Sequence, residues 1–307
     1  MATKQPVEKL ALAVRKNVRD EWESKKPEHE EKISKILGEA WTITTNPNLL
    51  YVCTDDESYK SRIGTVITWY IDPFCYNLEE FVKSYGDDGK AELNSLCSKH
   101  QLELAPQEDT KFNYGGMQIK DGILRLVFAD GRLAVNASDV SRDFQEAIKS
   151  AAASSNGASA FNIVARNSVR SDYDPAIGAV QEAIGNLVGI PDIKLNPNFE
   201  NNANVFAQAE EEIRSDWDKC FGSATLEYFE GLKYQLEYLG FKGDDLLQEG
   251  FQDGISKKEI LLRVVDTLQN GTYHETLIED GMLVIQTIPK YWWTNVSDVG
   301  SKILEQL

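Results

Sequence analysis

Two His-Glu pairs, at 29–30 and 274–275, begin the H-E-x-x-H pattern with which a helix binds catalytic zinc. Isoleucine occupies the second histidine position in both, at Ile33 and Ile278, so neither pair predicts a zincin. Cys97 and His100 have ligand-like spacing, but a zinc site needs a second pair and the sequence offers none. We therefore predict a buried thiol and a solvated histidine.

Other catalytic and cofactor patterns also fail on spacing. The glycine-rich stretch 86–90 is too short for a phosphate loop and Ala91 replaces its Ser or Thr, so a turn between helices is expected. Asp172 and Asp174 lack the glycine and closing glutamate of a calcium-binding EF-hand. The sequence has no G-x-G-x-x-G and no G-x-S-x-G. We predict no cofactor, no metal and no assignable catalytic residue, which leans against an enzyme.

The clearest pattern is an internal repeat of about 150 residues. Residues 10–38 align with 161–189 without a gap, and Asn-Pro-Asn at 46–48 aligns with Asn-Pro-Asn at 196–198. The same alignment pairs Ile63 with Ile213, and we place a nine-residue insertion near residue 240. Beyond that point, 119–122 aligns with 278–281 and 136–140 with 295–299. We predict a duplication with a first unit at 1–150, a linker at 151–160 and a second unit at 161–307.

Periodicity and turn signals predict the same α+β structure for both units. In the first, helices are expected at 7–24 and from Pro27 to Gly38, followed by a strand at 41–45. The stretch 57–71 is assigned to helix by analogy with 207–221, and further helices are expected at 73–85 and 88–99, with 256–269 as the counterpart of 88–99. Strands at 112–120, 123–129 and 132–136 are separated by Asp-Gly turns. Each unit is thus predicted to pack several helices on a small, mainly antiparallel β-meander.

Residues matched between the repeats are the candidate contacts. Arg19 and Arg170 either pair with the acids at 21 and 172 on a helix face or line a cleft for an anionic ligand. Asn46 and Asn196 are expected to cap turns, with ligand contact as the alternative. Trp292, Trp293 and their neighbour Tyr291 are predicted on a strand, which would bury one tryptophan and expose the other as an interaction surface.

Composition restricts the partners. The chain has 32 basic and 49 acidic residues, a net charge of −17, of which residues 181–307 carry −12 from 22 acids and 10 bases. Such a field repels nucleic-acid phosphates and anionic lipid, so we predict neither partner. No apolar stretch approaches the length of a membrane helix and no signal peptide is evident. Four cysteines without paired spacing favour the cytoplasm.

Three functional hypotheses follow. The first is a non-enzymatic binding or assembly protein that acts through a protein partner or self-association. The second is a small-molecule enzyme or ligand carrier with a site between the repeats, lined by Arg15 and Arg166 or by Arg19 and Arg170. The third, ranked last, is calcium binding by the acids at 55–57 or 244–245. The sequence favours the first.

Overall fold

A computed structural model describes residues 4–154, 159–209 and 212–307 of the chain. Contacts divide the chain into two compact units, Met1–Ala158 and Ser159–Leu307. The last helix of the first unit continues to Ala153, so the start of the predicted linker is helical. Residues 155–158 of that linker lie outside the described residues.

In its described residues, 4–154, the first unit combines six α-helices with one four-stranded sheet. Its helices are α1 (Leu12–Asn17), α2 (Lys26–Leu37), α3 (Pro47–Val52), α4 (Glu57–Lys60), α5 (Ile63–Leu96) and α6 (Phe144–Ala153). Its strands are β1 (Thr42–Thr45), β2 (Gln101–Pro106), β3 (Gly115–Lys120) and β4 (Ile123–Phe128). A π-helical turn, Val18–Glu23, continues α1, and a kink at Gly86 interrupts α5.

The second unit has the same plan in its described residues. Its helices are α7 (Ile163–Ser168), α8 (Asp174–Val188), α9 (Phe199–Gln208), α10 (Phe221–Tyr238) and α11 (Asp245–Gly254). Its strands are β5 (Lys194–Asn196), β6 (Glu259–Val264), β7 (His274–Glu279) and β8 (Met282–Thr287). A π-helical turn, Val169–Tyr173, again follows the first helix.

Both sheets are mixed, which corrects the prediction of a mainly antiparallel meander. The strand orders are β1-β2-β4-β3 and β5-β6-β8-β7. In each sheet the first two pairings are parallel and the last, the Asp-Gly hairpin, is antiparallel. The helices between β1 and β2, and between β5 and β6, act as crossover connections, and such connections place successive strands in parallel.

Two predicted segments therefore have a different structure. In place of the helix expected at 256–269 the chain forms β6 at Glu259–Val264, with Ile260, Leu262 and Val264 buried on one face of that strand. The strand expected at 132–136 is a turn, followed by the 3-10 turn Ala137–Asp139. By contrast, α2 ends as predicted, with Gly38 in the left-handed conformation at φ 81°.

Structurally equivalent positions relocate the predicted insertion. Gly64 and Gly222, 158 residues apart, both lie where the first helix of their unit crosses α5 or α10. A Cβ at Gly64 would lie 2.5 Å from the Asn17 carbonyl oxygen, and one at Gly222 would lie 2.2 Å from that of Ser168. The offset thus rises from 150 to 158 before α10. Pairing Ile63 with Ile213 was wrong, and most of the extra residues precede Gly222 instead of lying near 240.

The buried core of each unit lies between its sheet and its long helix. In the first unit Tyr70, Phe74 and Leu78 on α5 are fully buried, together with Leu124 and Leu126 of β4. In the second, Tyr228, Phe229 and Leu232 of α10 pack with the sheet residues Leu283 and Ile285. In this packing α1 contacts α5, and α7 contacts α10.

Candidate functional site

The outer side of α1 is an exposed surface that combines apolar and basic residues. Leu12, Ala13, Arg15, Lys16 and Arg19 are all exposed and line an open depression of about 690 Å³. We call these five residues the α1 face. Leu12 is 74% exposed, although removal of a leucine side chain from water is favourable. Three cations on one helical surface are notable in a chain of net charge −17.

The corresponding surface of the second unit is covered. Ile163 and Val164, at the positions of Leu12 and Ala13, are 0% and 6% exposed. A 3-10 turn, Trp217–Cys220, packs against α7, and the Nδ2 of Asn162, the residue that caps α7, donates to Asp218 Oδ2 over 3.2 Å. This turn lies in the segment where the second unit is longer. The first unit therefore exposes a helical surface that the second unit buries under its own extra residues.

The two matched arginines have different local partners. Arg19 lies on the π-helical turn and donates from Nε to Asp20 Oδ1 over 2.7 Å, while Glu21 pairs with Lys25 instead. Arg170 donates to the side-chain oxygen of Asn167, and Asp172 accepts from the hydroxyl of Ser168. The predicted pairing of Arg19 with Glu21 is thus replaced by a pairing with the adjacent aspartate. Arg19 belongs to the α1 face.

The matched asparagines stabilise chain turns. Asn46 caps α3, where its Oδ1 accepts from the backbone N–H of Leu49 over 3.1 Å. Asn196 Oδ1 accepts from the backbone N–H of Asn198, and its Nδ2 donates to Glu259 Oε1 on the neighbouring strand. The structure thus places both side chains in the expected turn contacts.

The tryptophan pair lies after β8, directly following the 3-10 turn Pro289–Tyr291, and not on a strand as predicted. Trp292 is 4% exposed, with ring centroids of Phe206 and Tyr228 at 4.8 and 5.1 Å. Trp293 is half-buried, and its Nε1 donates to Glu227 Oε2 over 2.7 Å. Trp293 adopts a left-handed φ of 65°, so the backbone here is not extended. The alternation of side chains along a strand therefore does not decide which of the two rings is buried.

An open cavity of about 450 Å³ lies at the corresponding place in the first unit. We call it the Trp69 cavity; it is lined by Thr68, Trp69, Asp72, Pro73, Ala134, Asn136, Ala137 and Ser138. Trp69 is held by the guanidinium of Arg62, 6.0 Å from its ring, and by the ring of Tyr59 in an edge-on contact. Sequence reasoning missed this cavity, because its two walls are 60 residues apart in the chain.

Next to this cavity, a Cys-His-Asp group resembles a nucleophilic triad in composition. His29 Nε2 lies 3.4 Å from Asp72 Oδ1, and His29 Nδ1 lies 4.0 Å from the Sγ of Cys75. Cys75 is buried, and burial raises the pKa of its thiol to about 11, so the reactive thiolate is scarce at pH 7. This arrangement suits a structural thiol better than a nucleophile.

The loop before β7 is organised by one carboxylate. Glu275 accepts from the backbone N–H groups of Gln269, Asn270 and Gly271 over 2.8, 2.8 and 2.9 Å, and from the side chain of Gln286. Burial raises the pKa of Glu275, but these hydrogen bonds to the charged form outweigh it, so the pKa lies below its usual 4.5. Three converging amides thus form an anion-binding nest that the chain fills with its own side chain.

We expect the Glu275→Gln variant to be less stable than the wild type by about 1 kcal/mol at pH 7, after allowance for solvent screening. A lowered folded-state pKa means that the stabilisation is fully present above the unfolded-state value and is lost as the pH falls through the folded-state value. Urea unfolding between pH 3 and 7 should therefore show that the difference in free energy of unfolding between the wild type and the variant becomes smaller in acid. A difference in free energy of unfolding that becomes larger in acid would contradict this account. An equal loss of stability in the exposed control Glu305→Gln would also contradict it.

The second unit carries an exposed surface of opposite character to the α1 face. Tyr238 and Leu246 are 76% and 78% exposed, and Tyr234 precedes Tyr238 by one helical turn. Four exposed acids lie near them in the chain, on α10 and at the start of α11, and the exposed Lys242 lies in the loop between the two helices. We call the group the Tyr238 surface: Glu230, Tyr234, Glu237, Tyr238, Asp244, Asp245 and Leu246.

In the described residues no group of three or more His, Cys, Asp or Glu side chains is arranged to hold a metal ion. Within the same ranges, no helix is both long and apolar enough to cross a bilayer. Comparisons with protein-family models, with curated proteins and with solved structures found no match.

Proposed function

We propose that this protein is a non-enzymatic assembly protein that associates with itself head to tail. In this proposal the α1 face of one copy contacts the Tyr238 surface of the next copy. The observation that carries the proposal is the exposure of Leu12 at a position where the second unit buries Ile163. An apolar helical surface that is covered in one unit and bare in the other is a natural contact for another chain.

Charge complementarity supports a second copy as the occupant. The α1 face presents Arg15, Lys16 and Arg19, and Arg15 and Lys16 form no ion pair within the described residues. The Tyr238 surface carries four exposed carboxylates, two exposed tyrosines and a leucine, against one exposed cation in the same stretch, Lys242. Tyrosine and arginine are enriched at the centres of protein interfaces, and opposite charges raise association rates.

The head-to-tail geometry follows from the use of two different surfaces. A contact between unlike surfaces produces closed rings or open filaments, whereas a two-fold dimer uses one surface twice. We further propose that the two units arose by duplication and fusion, supported by their common strand order and their matched glycines and asparagines. Loss or gain of the segment that contains the turn Trp217–Cys220 would then have left the first helix exposed in one unit and covered in the other. The unpaired spacing of the four cysteines supports the cytoplasm as the place of action.

Sedimentation velocity from 1 to 100 µM protein tests the assembly. At low salt we expect the weight-average sedimentation coefficient to rise with concentration, and at 0.5 M salt we expect the rise to weaken because screening acts on exposed charges. The Arg15→Glu/Arg19→Glu variant should remain monomeric. The Lys99→Glu/Arg142→Glu variant makes the same charge change at exposed positions outside the α1 face, and it should associate like the wild type.

A charge-reversed partner tests which surface is used. The Asp244→Lys/Asp245→Lys variant should not associate with itself, but it should associate with the Arg15→Glu/Arg19→Glu variant when the two are mixed. A wild-type protein that stays monomeric at 100 µM in low salt would refute self-assembly. Association that survives reversal of the α1 face would refute the proposed contact.

A further inference from the structure

We propose that the Trp69 cavity binds a planar aromatic amine with a ring system the size of indole. The site lies in the first unit alone, and binding to it does not require self-assembly. It arises because an indole of the chain itself, that of Trp293, lies at the corresponding place in the second unit.

The backbone that borders the cavity is the same in both units. Ala134 and Trp293 are equivalent, with left-handed φ values of 70° and 65°. The backbone N–H of Ala134 donates to the hydroxyl of Tyr70 over 2.9 Å, and that of Trp293 donates to the hydroxyl of Tyr228 over 3.0 Å. A side chain at position 134 would therefore start in the same direction as the indole of Trp293.

The two units carry the aromatic residue on different elements, on the turn in the second unit and on the helix in the first. In the second unit the Trp293 Nε1–H donates to Glu227, which occupies the position of Trp69, and the guanidinium of Arg214 lies 5.0 Å from the Trp293 ring. In the first unit the aromatic ring belongs to the helix, as Trp69, and the turn carries only the methyl group of Ala134. The turn of the first unit thus carries no ring at the position of Trp293.

A proline keeps the cavity open. Gly231 of α10 lies so near the following turn that a Cβ there would be 1.9 Å from the carbonyl oxygen of Val296. The equivalent residue of α5 is Pro73, which has a Cβ and a ring. The turn at Ala137 must therefore stand farther from α5 than the turn at Val296 stands from α10, and the space between them forms part of the cavity.

The chemistry of the lining selects the ligand class. Trp69, Pro73, Ala134 and Ala137 offer apolar and aromatic contact, and the carboxylate of Asp72 lies at the rim with 65% of its side chain exposed. The described lining contains no cation. The Asp72 carboxylate lies 3.4 Å from His29 Nε2 through Oδ1 and is otherwise exposed, so an aromatic ring with an N–H or ammonium group can donate to it while contacting Trp69. An anionic ring meets repulsion from Asp72 and from the net charge of −17.

Isothermal titration calorimetry with tryptamine tests the proposal, and indole-3-acetate provides the same ring with the opposite charge. We expect one tryptamine per chain, with affinity at least about tenfold higher than for indole-3-acetate. The Ala134→Trp variant should lose the site, because its new ring takes the place that Trp293 takes in the second unit. The Ala91→Trp control, which adds the same ring at an exposed position of α5 outside the cavity, should bind normally. Asp72→Asn should weaken tryptamine binding while leaving the weak binding of indole-3-acetate unchanged or improved.

Circular dichroism should confirm that Ala134→Trp is folded, and Trp69→Leu provides a second variant that removes the stacking ring without filling the cavity. Equal binding of tryptamine by the wild type and by both of these folded variants would overturn the proposal. Absence of tryptamine binding to the wild type at millimolar concentration would also overturn it. Either result would leave self-assembly untouched, because Ala134 and Trp69 lie outside the α1 face.

Discussion

Replacing Gly222 with alanine is expected to lower the free energy of unfolding of the second unit by about 3 kcal/mol. The new Cβ would lie 2.2 Å from the carbonyl oxygen of Ser168 and 2.8 Å from the Cα of Val169. These atoms belong to the backbone, so a change of side-chain rotamer cannot relieve the overlap. Helix α10 must move away from α7, and the buried contacts of Phe221 and Ala165 loosen with it.

Gly178→Ala is the matched control for this experiment. Gly178 also lies in a helix, but a Cβ there would have no neighbour within 4 Å. Alanine favours helix over glycine, so this variant should be more stable than the wild type by about 0.5–1 kcal/mol. Urea unfolding followed by circular dichroism compares the two, and Gly64→Ala provides the equivalent crossing in the first unit. If Gly222→Ala were as stable as Gly178→Ala, the close crossing would be wrong.

Truncation of Trp292 to alanine should cost about 4 kcal/mol, in the range typical of buried aromatic residues. Its ring is 4% exposed and contacts Phe206 and Tyr228, which places it in the core and not on a surface available to a partner. The buried indole N–H of Trp292 has no hydrogen-bond partner among the described residues. Trp292→Phe keeps most of the apolar contact and removes that polar group, so its loss should be about 1 kcal/mol or less.

Thermal and urea unfolding measure these losses, and sedimentation velocity measures any effect on association. We expect Trp292→Phe to associate like the wild type. A Trp292→Ala variant that unfolds at the wild-type urea concentration but no longer associates would show that this residue is a contact and not part of the core. That outcome would restore the interaction surface that the sequence predicted for the tryptophan pair.

Local signals in the sequence drew attention to two residues of the α1 face, Arg15 and Arg19, but not to its decisive feature. Arg19 was singled out from its match with Arg170, and it lies on the α1 face. The match could not show that Leu12 is exposed and Ile163 buried, because both are apolar residues at the same helical position. Their difference in exposure comes from the turn Trp217–Cys220, which packs against α7 and lies some 50 residues after Ile163 in the chain.

By itself the sequence determined the features that depend on a few neighbouring residues. Glycines in the left-handed conformation end α2 and α8, Asn46 caps α3, and Asp-Gly turns close the β3–β4 and β7–β8 hairpins. These are consequences of backbone sterics and short-range hydrogen bonds, which act within four or five residues. Their recurrence is the basis on which the sequence predicts a repeat, and the two sheets share one strand order.

Only the tertiary structure decided the parallel pairing of β1 with β2 and of β5 with β6, the position of the insertion, and the contrast between the covered α7 and the bare α1 face. Each depends on contacts between segments that are far apart in the chain, where many pairings satisfy the same local preferences. Buried apolar surface selects among them, and this surface belongs to the packed molecule and to no single segment. The Trp69 cavity is of the same kind, since a proline on one element and an alanine on another create it together.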